Sequence, residues 1–195
     1  MKRRKVSIFD LDGTLLSLNT HEYVLKRYLS EKKILSILFK VLYVLKIGSV
    51  LGKIQRVDPK FSIFEFLTVF SRKKKIEIVT DLASKKKYFN PRILRLLKIC
   101  HELSHETILL TAAPEYIAET VSRHLNISKY YASVVRCGIY TKHNYDKKGI
   151  ILKKFTEKKR MINVSDLSSD LYGNFRFEIL VSHEKIIVNC PASLH

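Results

Sequence analysis

Apolar residues along this chain follow two regimes. At the start and again beyond Pro91, short apolar runs are bounded by turn residues and separated by stretches with helical spacing. Val6 to Phe9, Thr107 to Leu110, Ser133 to Arg136, Met161 to Val164 and Lys185 to Val188 read as strands. Arg92 to Leu103, Glu115 to Leu125 and Lys148 to Glu157 read as helices between them. Strands alternating with helices predict an α/β fold whose parallel sheet is covered on both faces. Ligand sites in such sheets lie beyond the carboxyl ends of the strands, where Asp10, Thr111 and Asp166 all stand.

Residues 18 to 89 read as helical throughout. Asn19 and Glu22 have capping-box spacing ahead of Tyr23-Val24-Leu25. Further on, Ile34 to Leu51 is apolar on nearly every side, interrupted by Ser36, Lys40, Lys46 and Gly48-Ser49. Two internal lysines and a glycine make a membrane-spanning helix costly. Two readings stay open. An apolar stripe favours a buried helix packed on neighbours such as Phe61 to Phe70. The surrounding lysines favour an amphipathic segment lying in a membrane interface.

Composition changes this picture in one respect. At 195 residues, with 46% apolar and 28% charged side chains, the chain has enough apolar material for one well-buried domain and room for a small second module. Cys100, Cys137 and Cys190 are widely spaced and odd in number, which argues for a reducing compartment rather than a disulfide framework. The outlier is a net charge of +18, gathered at Lys2 to Lys5, Arg72 to Lys75, Lys85 to Lys87, Lys153-Lys154 and Lys158 to Arg160. Such a field attracts anionic lipid, phosphorylated substrates or nucleic acid. No aromatic-basic alternation points to nucleic acid in particular, so no specific nucleic acid partner is expected. The apolar run after Lys2 to Lys5 is too short for a cleaved export signal, and a cytoplasmic location is expected, with peripheral attachment to the inner membrane face as the alternative.

The candidate chemistry centres on Phe9-Asp10-Leu11-Asp12-Gly13-Thr14-Leu15. Residues at i and i+2 of an extended segment share a face, so Asp10 and Asp12 converge on one ligand. Gly13 lets the chain turn sharply beside it. Two like charges so close are unfavourable unless a cation or phosphate chemistry uses them. A second signal is Ile108 to Pro114, a buried strand ending in the Thr111 hydroxyl ahead of a helix, which is an arrangement for binding phosphate. A third is Asp166-Leu167-Ser168-Ser169-Asp170 after Met161 to Val164.

In order and character these motifs resemble those of the haloacid dehalogenase-like hydrolases, in particular the phosphoserine phosphatase-like subclass. The resemblance implies a Rossmann-like catalytic core made of residues 1–17 and 90–195, with residues 18–89 as a helical cap inserted after the first strand. It implies a Mg²⁺-dependent phosphatase in which Asp10 attacks phosphorus and Asp12 serves as general acid and base. Thr111 and a lysine would stabilise the phosphoryl group. Metal would be held by Asp10, Asp166 and the Asp12 carbonyl, with Asp170 behind them. The lysine would come from Asp146-Lys147-Lys148-Gly149. Lys148 is favoured over Lys147 because Leu152 and Phe155 then follow at helical spacing. Ile186-Ile187-Val188-Asn189-Cys190-Pro191 resembles the terminal strand of the subclass, with Cys190 an insertion and Gly173-Asn174 a further departure.

Substrate choice rests with the cap. Its apolar, lysine-studded composition is similar to that of bacterial phosphatidylglycerophosphate phosphatases, which implies a lipid phosphate at an anionic membrane surface as the alternative to a phosphorylated small molecule. Two readings of other classes compete. His101-Glu102-Leu103-Ser104-His105 matches the HExxH pattern of zinc peptidases, but the expected helix ends there and a strand begins at Thr107. A non-enzymatic basic binding module would account for the charge of +18, though it has no use for the carboxylate set.

Overall fold

The computed structural model describes residues 5–55, 57–142, 148, 151, 159–167, 175, 177–181 and 186–189. Strand β1 (Lys5–Phe9) is short and buried on both faces from Val6 to Phe9, as a central parallel strand is. Val6 and Ile8 pack with Ile108, Leu110, Ile151 and Phe175 on one side of the sheet. Phe9 joins Leu109 in the larger cluster on the other side. The remaining strands are β2 (Glu106–Pro114), β3 (Lys129–Arg136), β4 (Ile139–Lys142), β5 (Lys159–Ser165), β6 (Phe177–Val181) and β7 (Ile186–Asn189). They form one sheet in the order β4-β3-β2-β1-β5-β6-β7. The middle strands run parallel, and β4 and β7 close the edges antiparallel. The chain moves outward from β1 in one direction and then returns to its other side. This reversal opens a crevice at the carboxyl ends of β1, β2 and β5.

Between β1 and the rest of the sheet lie α1 (Thr20–Glu31), α2 (Lys33–Val44), α3 (Ile47–Gln55), α4 (Pro59–Leu67) and α5 (Arg72–Ser84). The Asn19 side chain caps α1 by accepting from the Glu22 amide at 2.9 Å, as the capping-box spacing predicts. Asp58 and Pro59 start α4 in the same manner. The helical segment leaves and re-enters at one place. The Ser17 amide donates to the Tyr88 carbonyl at 2.9 Å, and the Asn90 amide to the Leu15 carbonyl at 3.0 Å. Helices α6 (Pro91–Glu102) and α7 (Glu115–His124) then cover the sheet.

Several expectations change. The run Ile34 to Leu51 is not one buried helix: it breaks at Lys46, whose φ of 56° is left-handed, into α2 and α3. None of the residues of α2 is buried, and Ile34 is 85% exposed. Only one side of the helix, through Leu35 and Phe39, meets the core. An all-apolar stretch carries no periodicity to reveal this. Strand β2 runs on to Pro114, past the expected end at Leu110, and β3 begins at Lys129 rather than Ser133. Strands β4 and β6, of four and five residues, are additional to the strands expected from the pattern. A turn with Cys137 (φ 50°) and Gly138 (φ 75°) connects β3 to β4, the positive-φ pair that tight hairpins need. Of the expected helix Lys148 to Glu157, Lys148 and Ile151 are helical and the rest lies outside the described residues, as do Lys147, Asp170, Gly173-Asn174 and Cys190-Pro191.

Candidate active site

Asp10 is the first residue beyond β1, and its amide donates to the Val164 carbonyl of β5 at 2.9 Å. This bond fixes the turn against the neighbouring strand. The Asp10 carboxylate is buried and has two donors: the Leu11 amide to Oδ1 at 2.8 Å and Lys148 Nζ to Oδ2 at 2.9 Å. Lys148 is itself buried. Burial drives the Asp10 carboxyl up to about 7, against the opposing pull of the Lys148 charge and hydrogen bond. Asp12 Oδ1 accepts from the Thr20 amide at 2.8 Å, which ties this carboxylate to the first residue of α1. Burial raises its pKa as well, with the Thr20 hydrogen bonds opposing.

Asp166 follows β5 and comes to the same turn. Gly13 has φ of +74°, and a Cβ at that position would overlap the Asp166 carboxyl group. Only glycine combines that backbone angle with that approach. Gly13→Ala is therefore expected to lower the melting temperature, with about 1–2 kcal/mol arising from the backbone alone. It should also displace Asp166, which a rise in the magnesium concentration needed for half-maximal activity would register. Thr111 is buried, and its Oγ1 accepts from the Ala113 amide at 3.1 Å, just ahead of α7. The five described residues that the sequence nominated, Asp10, Asp12, Thr111, Lys148 and Asp166, all line one cavity of about 490 Å³. Among the described residues no three carboxylate, histidine or cysteine side chains form a closed cage for a metal. Mg²⁺ does not require one, because one or two carboxylates with water and phosphate oxygens complete its shell. Asp10 and Asp166, which line the same cavity, fit that demand.

The opposite wall of the cavity was not nominated from the sequence. It includes His21, Phe61 and Tyr140. His21 stacks on Phe61 with ring centroids 4.0 Å apart, and its Nδ1 lies 3.3 Å from the Tyr140 hydroxyl. Its Nε2 bonds Glu65 Oε1 at 3.0 Å, and the same oxygen accepts from the Tyr116 hydroxyl at 3.0 Å. Lys75 Nζ pairs with Glu65 Oε2 at 2.5 Å. Burial alone would push the Glu65 carboxyl up, but His21 and then Lys75 outweigh it and hold the group at about 2. The one sequence signal was an acid inside the apolar run Phe61-Ser62-Ile63-Phe64-Glu65-Phe66-Leu67. A carboxylate in such a run must be partnered or exposed.

The HExxH pattern does not form a zinc site. His101 lies in the last turn of α6, whereas Ser104 at φ of 55° ends the helix before His105. His101 Nε2 meets the Thr107 hydroxyl at 3.2 Å, and His105 Nδ1 meets Ser7 at 2.7 Å. The two rings serve different contacts.

A family model described as haloacid dehalogenase-like hydrolase matches residues 8–172. The chain belongs to this family. Comparison with curated protein sequences returns no match. Among solved structures, the hydrolase is similar in fold to an apo phosphoserine phosphatase at 13% identity and a TM-score of 0.59, covering 91% of this chain and 85% of that one. A phospho-aspartyl intermediate analogue of phosphoserine phosphatase gives 14% identity, a TM-score of 0.56 and coverage of 92% and 87%. A substrate-bound phosphoserine phosphatase complex gives 15%, 0.56, and 91% and 85%. At these identities the likeness establishes the fold, a mostly parallel α/β sheet of the family's Rossmann-like type.

Proposed function

We propose that this hydrolase is a magnesium-dependent phosphatase that cleaves a phosphate monoester through an aspartyl-phosphate on Asp10. Residues 1–17 and 90–195 form its catalytic core and 18–89 its cap. The observation that carries the reading is the convergence of Asp10, Lys148 and Asp166 on one turn, lining one cavity with Asp12 and Thr111. Asp10 and Asp166, with the Asp12 carbonyl, would hold Mg²⁺, and Asp170 would stand behind them. When bound, Mg²⁺ supplies positive charge that favours an ionised Asp10 and neutralises the phosphate.

The chain's own groups account for the proton and bond changes. A carboxylate oxygen of Asp10 attacks phosphorus as the ester P–O bond breaks. Asp12, whose raised pKa keeps a proton available, donates that proton to the departing alkoxide. As a carboxylate it then takes a proton from water, whose oxygen displaces Asp10 from phosphorus and releases inorganic phosphate. Lys148 and Thr111 hold the phosphoryl oxygens where negative charge accumulates.

The cap side of the cavity bears on the substrate. His21 stacked on Phe61, with Val57 and Tyr140 beside them, suits a neutral leaving group with apolar surface. Glu65 is occupied by His21, Tyr116 and Lys75, so its charge is already committed within the protein. A second reading, hydrolysis of a lipid phosphate such as phosphatidylglycerophosphate, is favoured by the exposed apolar face of α2.

Phosphate release from an aryl phosphate tests the chemistry. Chelation with EDTA should abolish it and added Mg²⁺ should restore it. Turnover that persists in EDTA would count against the scheme. A panel then compares phosphatidylglycerophosphate, glycerol phosphate and phosphoserine. The lipid reading requires kcat/KM for the lipid to exceed that for phosphoserine by at least about tenfold, the discrimination that roughly one or two buried methylenes provide.

A further inference from the structure

The outward surface of α2 is apolar along its whole length. Ile34, Ile37, Leu38, Val41 and Val44 recur at three- and four-residue spacing, and they are 85%, 64%, 43%, 47% and 76% exposed. Residues so spaced share one helical face. The continuous stripe points away from the protein, while Leu35 and Phe39 on the other side meet the core. Apolar exposure carries on through Leu45, Ile47 and Val50 into α3. Scattered apolar residues on a surface need no explanation, but a contiguous stripe marks something that covers it.

Charge identifies the cover. From Lys32 to Val57 the chain carries Lys32, Lys33, Lys40, Lys46, Lys53 and Arg56 and no acidic residue. Lys33 and Lys40 lie seven residues apart on one helical line bordering the stripe. Among the described residues Lys33, Lys40, Lys46 and Lys53 are exposed, and none of them forms a salt bridge with another described residue. A second copy placed on this face would bring two such lysine sets together. An anionic surface would instead receive both the apolar stripe and its cationic border.

No helix among the described residues is long and apolar enough to cross a membrane. Helix α2 has 12 residues, a length of about 18 Å against a hydrocarbon thickness of about 30 Å. The left-handed Lys46 then breaks the path. A short helix with an apolar face and long cationic side chains at its edge lies in the plane of an interface, with the lysine stems reaching to the headgroups.

We infer that α2 and the start of α3 form a docking surface that seats the protein on an anionic lipid bilayer. Helix α3 ends at Gln55, and Val57 and Asp58 line the cavity that holds Asp10. The docked face therefore lies close in the chain to the cavity wall. The inference rests on the lipid reading of the site for its purpose, but binding is read without turnover, so the two can fail separately.

The experiment is flotation of the full chain with vesicles of equimolar phosphatidylglycerol and phosphatidylcholine, set beside pure phosphatidylcholine. Wild type and Asp10→Asn should float equally with the anionic vesicles and weakly with the neutral ones, and high salt should reduce recovery. The double variant Ile37→Glu, Val41→Glu should lose at least about tenfold in affinity, and Lys33→Glu, Lys40→Glu should lose the preference for anionic lipid. Both pairs are exposed, so melting temperature and aryl phosphate hydrolysis should match wild type. Equal flotation of Ile37→Glu, Val41→Glu and wild type would overturn the inference, as would recovery indifferent to lipid charge. A wild-type dimer in sedimentation that the same double variant dissociates, without vesicle binding, would assign the face to a second copy instead. Flotation without any phosphatase activity would leave the docking in place and remove the phosphatase reading.

Discussion

Replacing Asp10 with asparagine should lower phosphate release by about 10⁴-fold or more, the scale seen when a covalent nucleophile is removed. The substitution is close to isosteric. Its amide oxygen still accepts from the Leu11 amide, which lies 2.8 Å from Oδ1 in the wild type. It offers neither a nucleophilic oxygen nor a charge to Lys148. The fold should survive, and the sign of the pKa shift says why. Burial raises the Asp10 carboxyl from 3.8 to about 7. Stability associated with its neutral form is present below the unfolded value and is lost as pH rises through about 7. At pH 8 the metal-free Asp10→Asn protein should melt no lower than wild type. Asp12→Asn makes the complementary case. An aryl leaving group needs little protonation, so attack by Asp10 should proceed while water activation fails. A burst of aryl alcohol stoichiometric with enzyme, followed by a stall, is the expected time course. Steady turnover in Asp10→Asn would assign the chemistry elsewhere.

How much of this was legible in the sequence depends on whether the determining contacts are local. The Asp10 turn is readable because strand, carboxylates and Gly13 are consecutive, and the α/β class follows from the alternation of β2, α7 and β3. Asn19 announces α1 for the same reason. Lys148 was reachable only through family resemblance, since nothing near residue 148 reveals that its ammonium lies against Asp10, a partner 138 positions away. The wall of His21, Phe61 and Tyr140 was invisible on similar grounds: Tyr140 and His21 meet across 119 positions. For helix α2 the choice between a buried and an interfacial reading was illegible for a different reason. Periodicity encodes which face is buried only when the other face is polar, and here both faces are apolar. The three-dimensional packing therefore had to show that the more apolar stripe points outward.

That outward stripe and the buried Glu65 cluster are two consequences of one construction. Glu65, placed where it is fully enclosed, is bonded directly from three separate elements, by His21 of α1, Lys75 of α5 and Tyr116 of α7, and Tyr140 of β4 joins the cluster through His21. The β3–β4 hairpin approaches α4 closely because position 138 is glycine: a Cβ there would lie 2.8 Å from Phe66 Cα and 2.9 Å from the Glu65 carbonyl. The helices α1, α4 and α5 are thus joined to α7 and β4 by one polar cluster, while α2 keeps its apolar stripe exposed.

The stability of that junction can be measured through Glu65→Gln. At pH 7 the variant leaves the buried Lys75 ammonium without its counter-charge, an arrangement that costs about 3–5 kcal/mol when one partner of a buried pair is removed. The pKa gives a figure of the same order. Glu65 falls from 4.5 to about 2 on folding, which corresponds to roughly 3 kcal/mol at 1.36 kcal/mol for each pH unit. For a chain of this size a loss of 3 kcal/mol lowers the melting temperature by roughly 6–12 °C. The pH dependence fixes the cause. A depressed carboxyl contributes stability that is fully present above the unfolded pKa of 4.5 and is lost as pH falls through about 2. The gap in melting temperature between wild type and Glu65→Gln should accordingly stay constant from pH 7 to about 5 and narrow below 4.5. A gap that is the same at pH 3 as at pH 7 would mean that packing, not charge, is what the glutamate supplies. The double variant Glu65→Met, Lys75→Met separates the two further. If the charge left on Lys75 is the cause, removing both members restores much of the loss, whereas a shape defect at position 65 would persist in the double variant.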